Sequence, residues 1–235
     1  VYMFTPYFSL LYTFFYNLST LMPIDIFHKY GSSFGLGQKT GVDMPLERNG
    51  IMPSKTWKQK THNLTWYPGD SVNASIGQGF TLTTPIQLAV MTAGLATQGE
   101  IPIPQVVRSK NKLLSVKRKI EISKANWNYI HKAMKDVVHS PRGTARHLNQ
   151  GIDYQISGKT GTVQVIGIKQ KEKYDIATTA KKNRDHALFI AFAPSDNPKI
   201  AIAVIIENGG SGSARAAPAA KKVIEAYMDL YPVAL

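Results

Sequence analysis

The chain has 235 residues, enough for a domain with a sizeable core, and its 43% hydrophobic and 18% charged residues exclude a disordered or collagen-like chain. The absence of cysteine excludes a disulfide scaffold, an iron–sulfur site and a thiol nucleophile. The 28 Lys and Arg against 15 Asp and Glu give a formal net charge of +13, which favours anionic partners such as nucleic acid, a membrane surface or an acidic substrate.

The first 24 residues carry no charge and are rich in Tyr and Phe. Their length allows a membrane span. Pro6, Pro23 and several Ser, Thr and Asn residues weaken that interpretation, and the features of a signal peptide are missing. We therefore favour a buried or out-of-place segment over a membrane helix, and we treat residues 1–27 as an aromatic, uncharged leader.

The next part of the chain is predicted to be loop-like from Gly31 to Gly50 and irregular from Pro53 to Gly69. Thr84 and Pro85 then form the signature of a helix N-terminus, a capping residue followed by proline in the first turn. The apolar residues that follow predict a helix over residues 85–97.

Two short strands are predicted next, over residues 101–107 and 113–120. Ser123 then caps a second helix. The apolar residues of this helix recur at spacings of three and four, which is the period of a helix with one buried face: Trp127, Ile130, Met134 and Val137.

The last third of the chain contains three β-rich runs, over residues 154–166, 186–193 and 199–207. Residues 194–198 form a turn between the second and third runs. The third run is apolar throughout, as in a strand covered on both faces. A Gly-rich turn and a helix over residues 214–230 follow, so the order of elements predicts an α+β fold.

The sharpest chemical signal is Lys159-Thr160-Gly161-Thr162, inside the first of these strands. The Lys159 ammonium supplies positive potential, and the Thr160 and Thr162 hydroxyls can donate to a substrate carboxylate. Gly161 lets an extended peptide lie against the strand, and the Thr162 backbone N–H can serve as an oxyanion donor. By itself, so short a motif is equally consistent with a chance turn in a Lys-rich protein.

The motif is part of an ordered series, which is Gly77-Gln78-Gly79-Phe80, Thr84-Pro85-Ile86-Gln87-Leu88-Ala89, Gly143-Thr144-Ala145, Lys159-Thr160-Gly161-Thr162 and Arg184-Asp185-His186. With this series the chain resembles the class B penicillin-binding proteins from about residue 28 to its end. The resemblance implies that residues 28–235 are the C-terminal portion of a transpeptidase domain. It implies the penicillin-binding protein and serine β-lactamase-like fold, represented here by three C-terminal antiparallel strands with flanking helices.

The resemblance also implies an activity, a set of partners and a location. Members of the family cross-link peptidoglycan by serine acyl transfer on D-Ala-D-Ala stem peptides, and they bind β-lactams. Lys159, Thr160, Gly161 and Thr162 would be the catalytic motif, and Lys159, Thr160 and Thr162 would bind substrate. The full-length relatives of the rod-elongation system work with a glycosyltransferase and scaffold proteins at the periplasmic face of the inner membrane. No cofactor, metal or nucleic acid is expected.

The sequence departs from the family at the nucleophile. Its only S-x-x-K string, Ser109-Lys110-Asn111-Lys112, lies in a basic, strand-like stretch and is interpreted as accidental. The family's nucleophile would lie upstream of Val1. Leu10, Leu11 and Tyr12 stand where the family's second motif, S-x-D or S-x-N, is expected. We interpret this difference as the result of a frameshift or a false start. Ser71-Val72-Asn73 and Ser109-Lys110-Asn111 match that pattern by accident.

Three functions therefore remain open. The leading one is a piece of a transpeptidase that is inactive alone, and the alternatives are a non-catalytic stem-peptide-binding module and a basic nucleic-acid-binding protein. Glu207 and His186 are interpreted as structural, and the other histidines lack metal-ligand spacing. The strand over residues 199–207 is expected to have an unpaired apolar edge.

Overall fold

The computed structural model describes residues 12–107, 116–167, 175 and 178–231. These residues divide into two compact units, the first ending at Ile130 and the second beginning at His131. The boundary falls within a single helix, Lys124–His139. The order of helices and antiparallel strands along the chain is α+β, as predicted.

The first unit is mainly helical. Its elements are α1 (Tyr12–Leu21), α2 (Ile24–Ser33), α3 (Lys55–His62), α4 (Pro68–Ser75), α5 (Pro85–Ala96), β1 (Glu100–Pro102), β2 (Val116–Lys119) and the first half of α6 (Lys124–His139). Strand β1 pairs with β2 in antiparallel orientation. Within the described ranges, the helices are too short or too polar to cross a membrane.

Helix α5 confirms the predicted helix to within one residue. Thr84 Oγ1 accepts a hydrogen bond from the Gln87 backbone N–H at 3.3 Å, and Gln87 Oε1 accepts one from the Thr84 N–H at 3.1 Å. This reciprocal capping box satisfies two backbone donors that a helix N-terminus otherwise leaves unpaired. The second predicted helix is confirmed as α6, which begins immediately after its predicted cap, Ser123.

The prediction of an irregular segment over residues 53–69 is wrong. Helix α3 begins after Ser54, whose Oγ accepts from the Trp57 N–H at 3.1 Å, and α4 begins at Pro68. Neither segment shows the apolar periodicity from which a helix is predicted. Helix α3 is almost entirely polar, and its capping residue specifies where it begins. The predicted strand over residues 101–107 is also shorter, since β1 ends at Pro102 and prolines have no N–H for a ladder.

A small apolar core lies between α5 and the two short strands. Val90, Ile101 and Ile120 are buried, and Phe34 and Ile122 pack against them. The face of α5 toward Ile101 contains Gly94, where any side chain would overlap the Ile101 Cδ1 atom. A side chain at position 94 would therefore require the buried Ile101 side chain to shift.

Gln87 ties the irregular part of the first unit to α5. Its side chain is fully buried, and Nε2 donates to the carbonyl oxygens of Gln38 and Asn49, both at 2.6 Å. The two carbonyls belong to the loop-like region predicted between Gly31 and Gly50. One amide thus caps its own helix and binds two backbone acceptors of the loop.

The second unit contains the second half of α6, then β3 (Ser157–Val163), β4 (His186–Ala193), β5 (Ile200–Ile206), a π-helical turn (Gly212–Ala216) and α7 (Ala217–Leu230). The strands form an antiparallel sheet in the order β3-β4-β5. The three predicted strands are confirmed, β4 with the predicted bounds and β3 and β5 with shorter ends. The helix predicted from residue 214 begins instead as the π-helical turn, and the α-helix proper starts at Ala217.

The central strand β4 is the buried axis of this unit, with five residues of zero exposure: Ala187, Phe189, Ala191, Phe192 and Ala193. Strand β5 differs, because each of its residues is only half-buried. The expectation that both of its faces are covered is therefore wrong for the described residues. Within them β5 has one strand neighbour, β4, so its other edge is open as expected.

We predict that Gln87→Met lowers the free energy of unfolding of the first unit by about 1–3 kcal/mol, because it removes the side-chain partners of two loop carbonyls and of the Thr84 N–H. All three tryptophans, Trp57, Trp66 and Trp127, lie in this unit, so tryptophan fluorescence during urea unfolding measures it selectively. The exposed Gln59 provides the control Gln59→Met, which should change little. Equal effects of the two variants would contradict the role of Gln87.

Candidate active site

The predicted motif lies in β3, at the edge of the described sheet opposite to β5. Lys159 is directly opposite Ile190 and Gly161 is opposite Leu188, whereas Thr160 is opposite Phe189. Since directly opposed residues share a face of an antiparallel sheet, Lys159 and Gly161 lie on one face and Thr160 on the other. The two residues thus start from opposite faces, but the Lys159 side chain turns toward its neighbour, because its Nζ lies 3.5 Å from Thr160 Oγ1.

Lys159 is a half-buried lysine without a described ion pair. Its Nζ donates to the backbone oxygen of Thr160 at 2.7 Å and lies 3.5 Å from Thr160 Oγ1. Burial lowers its pKa from 10.5 to about 8, because removal from water disfavours the charged form. At neutral pH the side chain remains mostly protonated, so it holds a partly desolvated positive charge at the edge of the sheet.

The Thr160 hydroxyl is held in place by two residues that sequence analysis did not assign to the site. Thr160 Oγ1 lies 3.1 Å from Thr144 Oγ1, and the Thr144 carbonyl accepts a hydrogen bond from Ser213 Oγ at 2.5 Å. Thr160 is buried, so this chain of polar groups satisfies an otherwise costly hydroxyl. Thr144 appeared only as part of a family motif, and nothing marked Ser213.

Thr162 differs from Thr160 in its environment. It is the exposed residue of β3, whereas Thr160 is buried. The structure thus separates the two predicted hydroxyl donors into one that is fixed by Thr144 and one that faces solvent. A ligand that approaches the strand from solvent can reach the Thr162 hydroxyl without breaking a described hydrogen bond.

Glycine is required where the π-helical turn meets the sheet. A Cβ atom at Gly212 would overlap the carbonyl oxygens of both Gly161 and Leu188. A Cβ at Gly161 would lie 3.2 Å from the Leu188 Cβ, which is tighter than ordinary contact. Glycine at position 161 is therefore favoured for two reasons. It avoids a tight contact with its cross-strand neighbour Leu188, and it leaves the predicted room for a substrate.

The start of β3 is anchored by buried polar contacts. Ser157 Oγ donates to Ser195 Oγ at 2.8 Å, and the Ile156 N–H donates to His139 Nε2 at 3.0 Å. Burial is the main cause that lowers the pKa of His139, and accepting from an N–H requires the neutral ring. These contacts fix the strand two residues before Lys159.

The remaining candidates fall outside this cluster. His186 Nδ1 accepts from the Asn208 N–H at 2.9 Å, in line with a structural role, and Glu207 is exposed. Ser71 lies in α4 of the first unit, and its Oγ accepts from Trp66 Nε1 at 2.8 Å. Nowhere in the described ranges do three or more His, Asp or Glu side chains form a group suited to a metal ion.

Two predicted segments cannot be compared with the structure. Residues 109–112, the S-x-x-K string and the overlapping S-x-N match, lie outside the described residues. So do Leu10 and Leu11, and the structure describes only the backbone of Tyr12, where α1 begins. The interpretation of these segments, and the division of the chain at residue 27, stay predictions.

Comparison with known proteins identifies similar chains. Residues 12–225 match the family model of the penicillin binding protein transpeptidase domain. The peptidoglycan D,D-transpeptidase MrdA of Acinetobacter baumannii is 42% identical over 224 residues, which cover 92% of this chain and 33% of that protein. The chain therefore spans about a third of the length of the curated relatives that it matches.

Solved structures of penicillin-binding proteins also match the fold of this chain. The crystal structure of Pseudomonas aeruginosa PBP2 in complex with WCK 5153 matches with a TM-score of 0.81 and 42% identity, over 92% of this chain and 47% of that chain. Helicobacter pylori PBP2, in its complex with MreC, matches with a TM-score of 0.83 and 28% identity, over 98% and 40%. These matches confirm the fold and the family predicted from the ordered motifs.

We predict that Gly212→Ala destabilises the second unit by roughly 1–3 kcal/mol, because the new methyl group must displace backbone of β3 and β4. Hydrogen exchange of peptides from both strands should accelerate, while tryptophan fluorescence of the first unit stays unchanged. Gly167→Ala is the matched control, since a Cβ at Gly167 meets open space. Equal exchange in the two variants would show that the turn does not pack as described.

We also predict that Lys159→Met stabilises the second unit near neutral pH. The pKa of Lys159 is lower in the folded state, about 8 against 10.5, so its charge destabilises the fold below pH 8, and this cost disappears as the pH rises toward 10.5. The gain should be on the order of 1 kcal/mol at neutral pH and should shrink above pH 10. Urea unfolding followed by circular dichroism measures it.

The exposed Lys199 supplies the control for this experiment. Lys199→Met should alter stability little at either pH. A Lys159→Met variant that is destabilised, or equally stabilised at both pH values, would rule out desolvation as the origin of the lowered pKa.

Proposed function

Since this chain belongs to the family of penicillin-binding protein transpeptidase domains, we propose that it carries the substrate-binding strand of a peptidoglycan D,D-transpeptidase acting in rod elongation. The single observation that carries the proposal is the partly desolvated ammonium of Lys159, which has no described carboxylate partner and lies 3.5 Å from the Thr160 hydroxyl. A peptide carboxylate is the group that this combination binds best.

In the proposed reaction, a serine attacks the carbonyl of the penultimate D-Ala of a stem peptide, the terminal D-Ala leaves, and the amine of a second stem peptide resolves the acyl-enzyme. Lys159, Thr160 and Thr162 bind the terminal carboxylate. The backbone N–H of Thr162 stabilises the oxyanion of the tetrahedral intermediate. The stem peptide lies extended along β3, whose outer edge has no described strand neighbour.

The chain is proposed to bind stem peptides without forming the acyl-enzyme itself. Its only S-x-x-K string is Ser109–Lys112, whose surroundings are basic and polar. Incubation of the 235-residue chain with a fluorescent penicillin should therefore give no covalent band on a denaturing gel. Covalent labelling of any of its serines would contradict this part of the proposal.

Partners and location are proposed from the relatives. Helicobacter pylori PBP2 has been solved in complex with MreC, which supports an interaction of the longer protein with a scaffold protein. A glycosyltransferase of the elongation machinery is the second proposed partner. Together with a peptidoglycan substrate, these partners indicate the periplasmic face of the inner membrane.

The carboxylate interaction predicts a pH dependence of ligand binding. A synthetic pentapeptide that ends in D-Ala-D-Ala should bind about tenfold more weakly at about pH 9.5 than at about pH 7, because Lys159 loses its proton with a pKa of about 8. A bound carboxylate favours the ammonium, so the midpoint should lie at or above that value. Calorimetric titration at several pH values measures it.

Matched ligands and variants test the assignment. A pentapeptide with a C-terminal amide should show no such pH dependence. Lys159→Met should remove it for the free acid, whereas the exposed Lys199→Met should retain it. Thr162→Val should weaken binding severalfold at neutral pH. A wild-type affinity that is equal for acid and amide at neutral pH would refute the proposal.

A further inference from the structure

A groove in the first unit lies beside α3, away from the β3 motif along the chain. Its volume is about 530 Å³. It is formed by one side of α3 and by the segment that follows the helix, and six residues line it: Lys55, Thr56, Gln59, Lys60, Thr65 and Trp66. None of these six side chains is acidic.

Trp66 forms the aromatic wall of the groove, and the residues packed behind its ring fix its orientation. Trp66 is half-buried, and its Nε1 donates to Ser71 Oγ at 2.8 Å. The Lys58 ammonium lies 5.8 Å from the centre of the Trp66 ring and forms a 2.5 Å ion pair with Asp70. Phe80 packs against the same indole, with 6.4 Å between ring centres. The indole is thus held in one orientation before any ligand arrives.

The groove carries positive charge on two lysine ammonium groups that a ligand can reach. The Lys55 ammonium is 3.9 Å from Asp25, but both side chains are more than half exposed, so the pair is weak. Lys60 is exposed, and no ion pair is described for it. Two ammonium groups therefore border a concave surface that contains no carboxylate of its own.

The other lining groups are neutral and polar. Thr56 and Thr65 contribute hydroxyls that both donate and accept. Gln59 Nε2 donates to Asn63 Oδ1 at 3.0 Å, which leaves its Oε1 as an acceptor. A rigid indole with hydroxyls, an amide and two ammonium groups is complementary to a sugar ring that has an apolar face, polar substituents and a carboxylate.

We propose that this groove binds an acidic amino-sugar polymer, with a pyranose ring against Trp66 and carboxylates beside Lys55 and Lys60. The identity of the polymer as the glycan strand of peptidoglycan rests on the proposed function. In peptidoglycan the lactyl carboxylate is free only on sugars that carry no stem peptide, so the groove would bind peptide-free stretches of the glycan, whose carboxylates are available to Lys55 and Lys60.

The test uses the full chain and glycan strands from which an amidase has removed every stem peptide. Hydrolysis of the amide bond between each lactyl group and its stem peptide frees the lactyl carboxylates and removes D-Ala-D-Ala, so these strands cannot use the β3 motif. We expect saturable binding with a change in tryptophan fluorescence, and at least tenfold weaker binding of a neutral chitooligosaccharide of the same length.

Variants separate a specific site from general attraction to a basic protein. Lys55→Gln with Lys60→Gln should weaken binding of the peptide-free glycan about tenfold, and these exposed positions leave the fold intact. Lys29→Gln, at an exposed lysine of α2, should have no effect. Trp66→Phe should lower affinity and reduce the fluorescence change. Unaltered glycan affinity in the double lysine variant would overturn the proposal.

Two further results decide its scope. Single-stranded DNA that binds as tightly as the glycan, with the same dependence on Lys55 and Lys60, would assign the groove to nucleic acid and overturn the proposal. The Lys159→Met variant should bind the peptide-free glycan normally. Loss of pentapeptide binding with retained glycan binding would thus refute the function of β3 alone, and the reverse result would refute the groove alone.

Discussion

The half-buried ammonium of Lys159 is the constraint on which the candidate site depends. Removal from water favours the neutral amine, which is why the pKa falls to about 8. The described hydrogen bonds of Nζ go to Thr160, so the charge is stabilised by local dipoles rather than by an opposite charge. A carboxylate beside β3 would favour the ammonium and raise the pKa again. Strand β3 therefore holds a positive charge, and the carboxylate that would stabilise this charge best is supplied by a ligand.

Such a charge lowers stability unless the surrounding packing offsets it, and β4 provides that packing. Phe189 and Phe192 are fully buried in this strand. A Cβ at Gly158 would lie 2.6 Å from the Phe189 ring, so the observed register leaves no room for a side chain at this position. A slip by one residue would move Lys159 to the opposite face. The rigid centre of the sheet therefore determines where the functional edge presents its charge.

The sequence was informative where a segment had a clear local pattern or where several motifs followed one another in a fixed order. The β4 and β5 runs are apolar enough to predict, and Lys159–Thr162 was assigned together with the ordered motifs around it. Helix α3 was not predicted, because its sequence is polar and its stability comes from a cap and from packing. The role of Ser213 was not predicted for another reason. It lies 69 positions after Thr144, whose carbonyl it binds, and no local pattern encodes a contact over that distance.

Lys58 and Lys159 show how a structural charge differs from a functional one. Lys58 is 3% exposed and has a complete set of partners: an ion pair with Asp70 at 2.5 Å and the faces of Tyr67 and Phe80 at 4.9 and 5.5 Å. Those partners balance its desolvation and leave no place for a ligand. Among the residues that the structure describes, the partners of Lys159 are neutral oxygens. Because burial without a counterion costs free energy, its retention at an accessible strand edge favours a role in binding, whereas Lys58 holds the aromatic cluster behind the α3 groove.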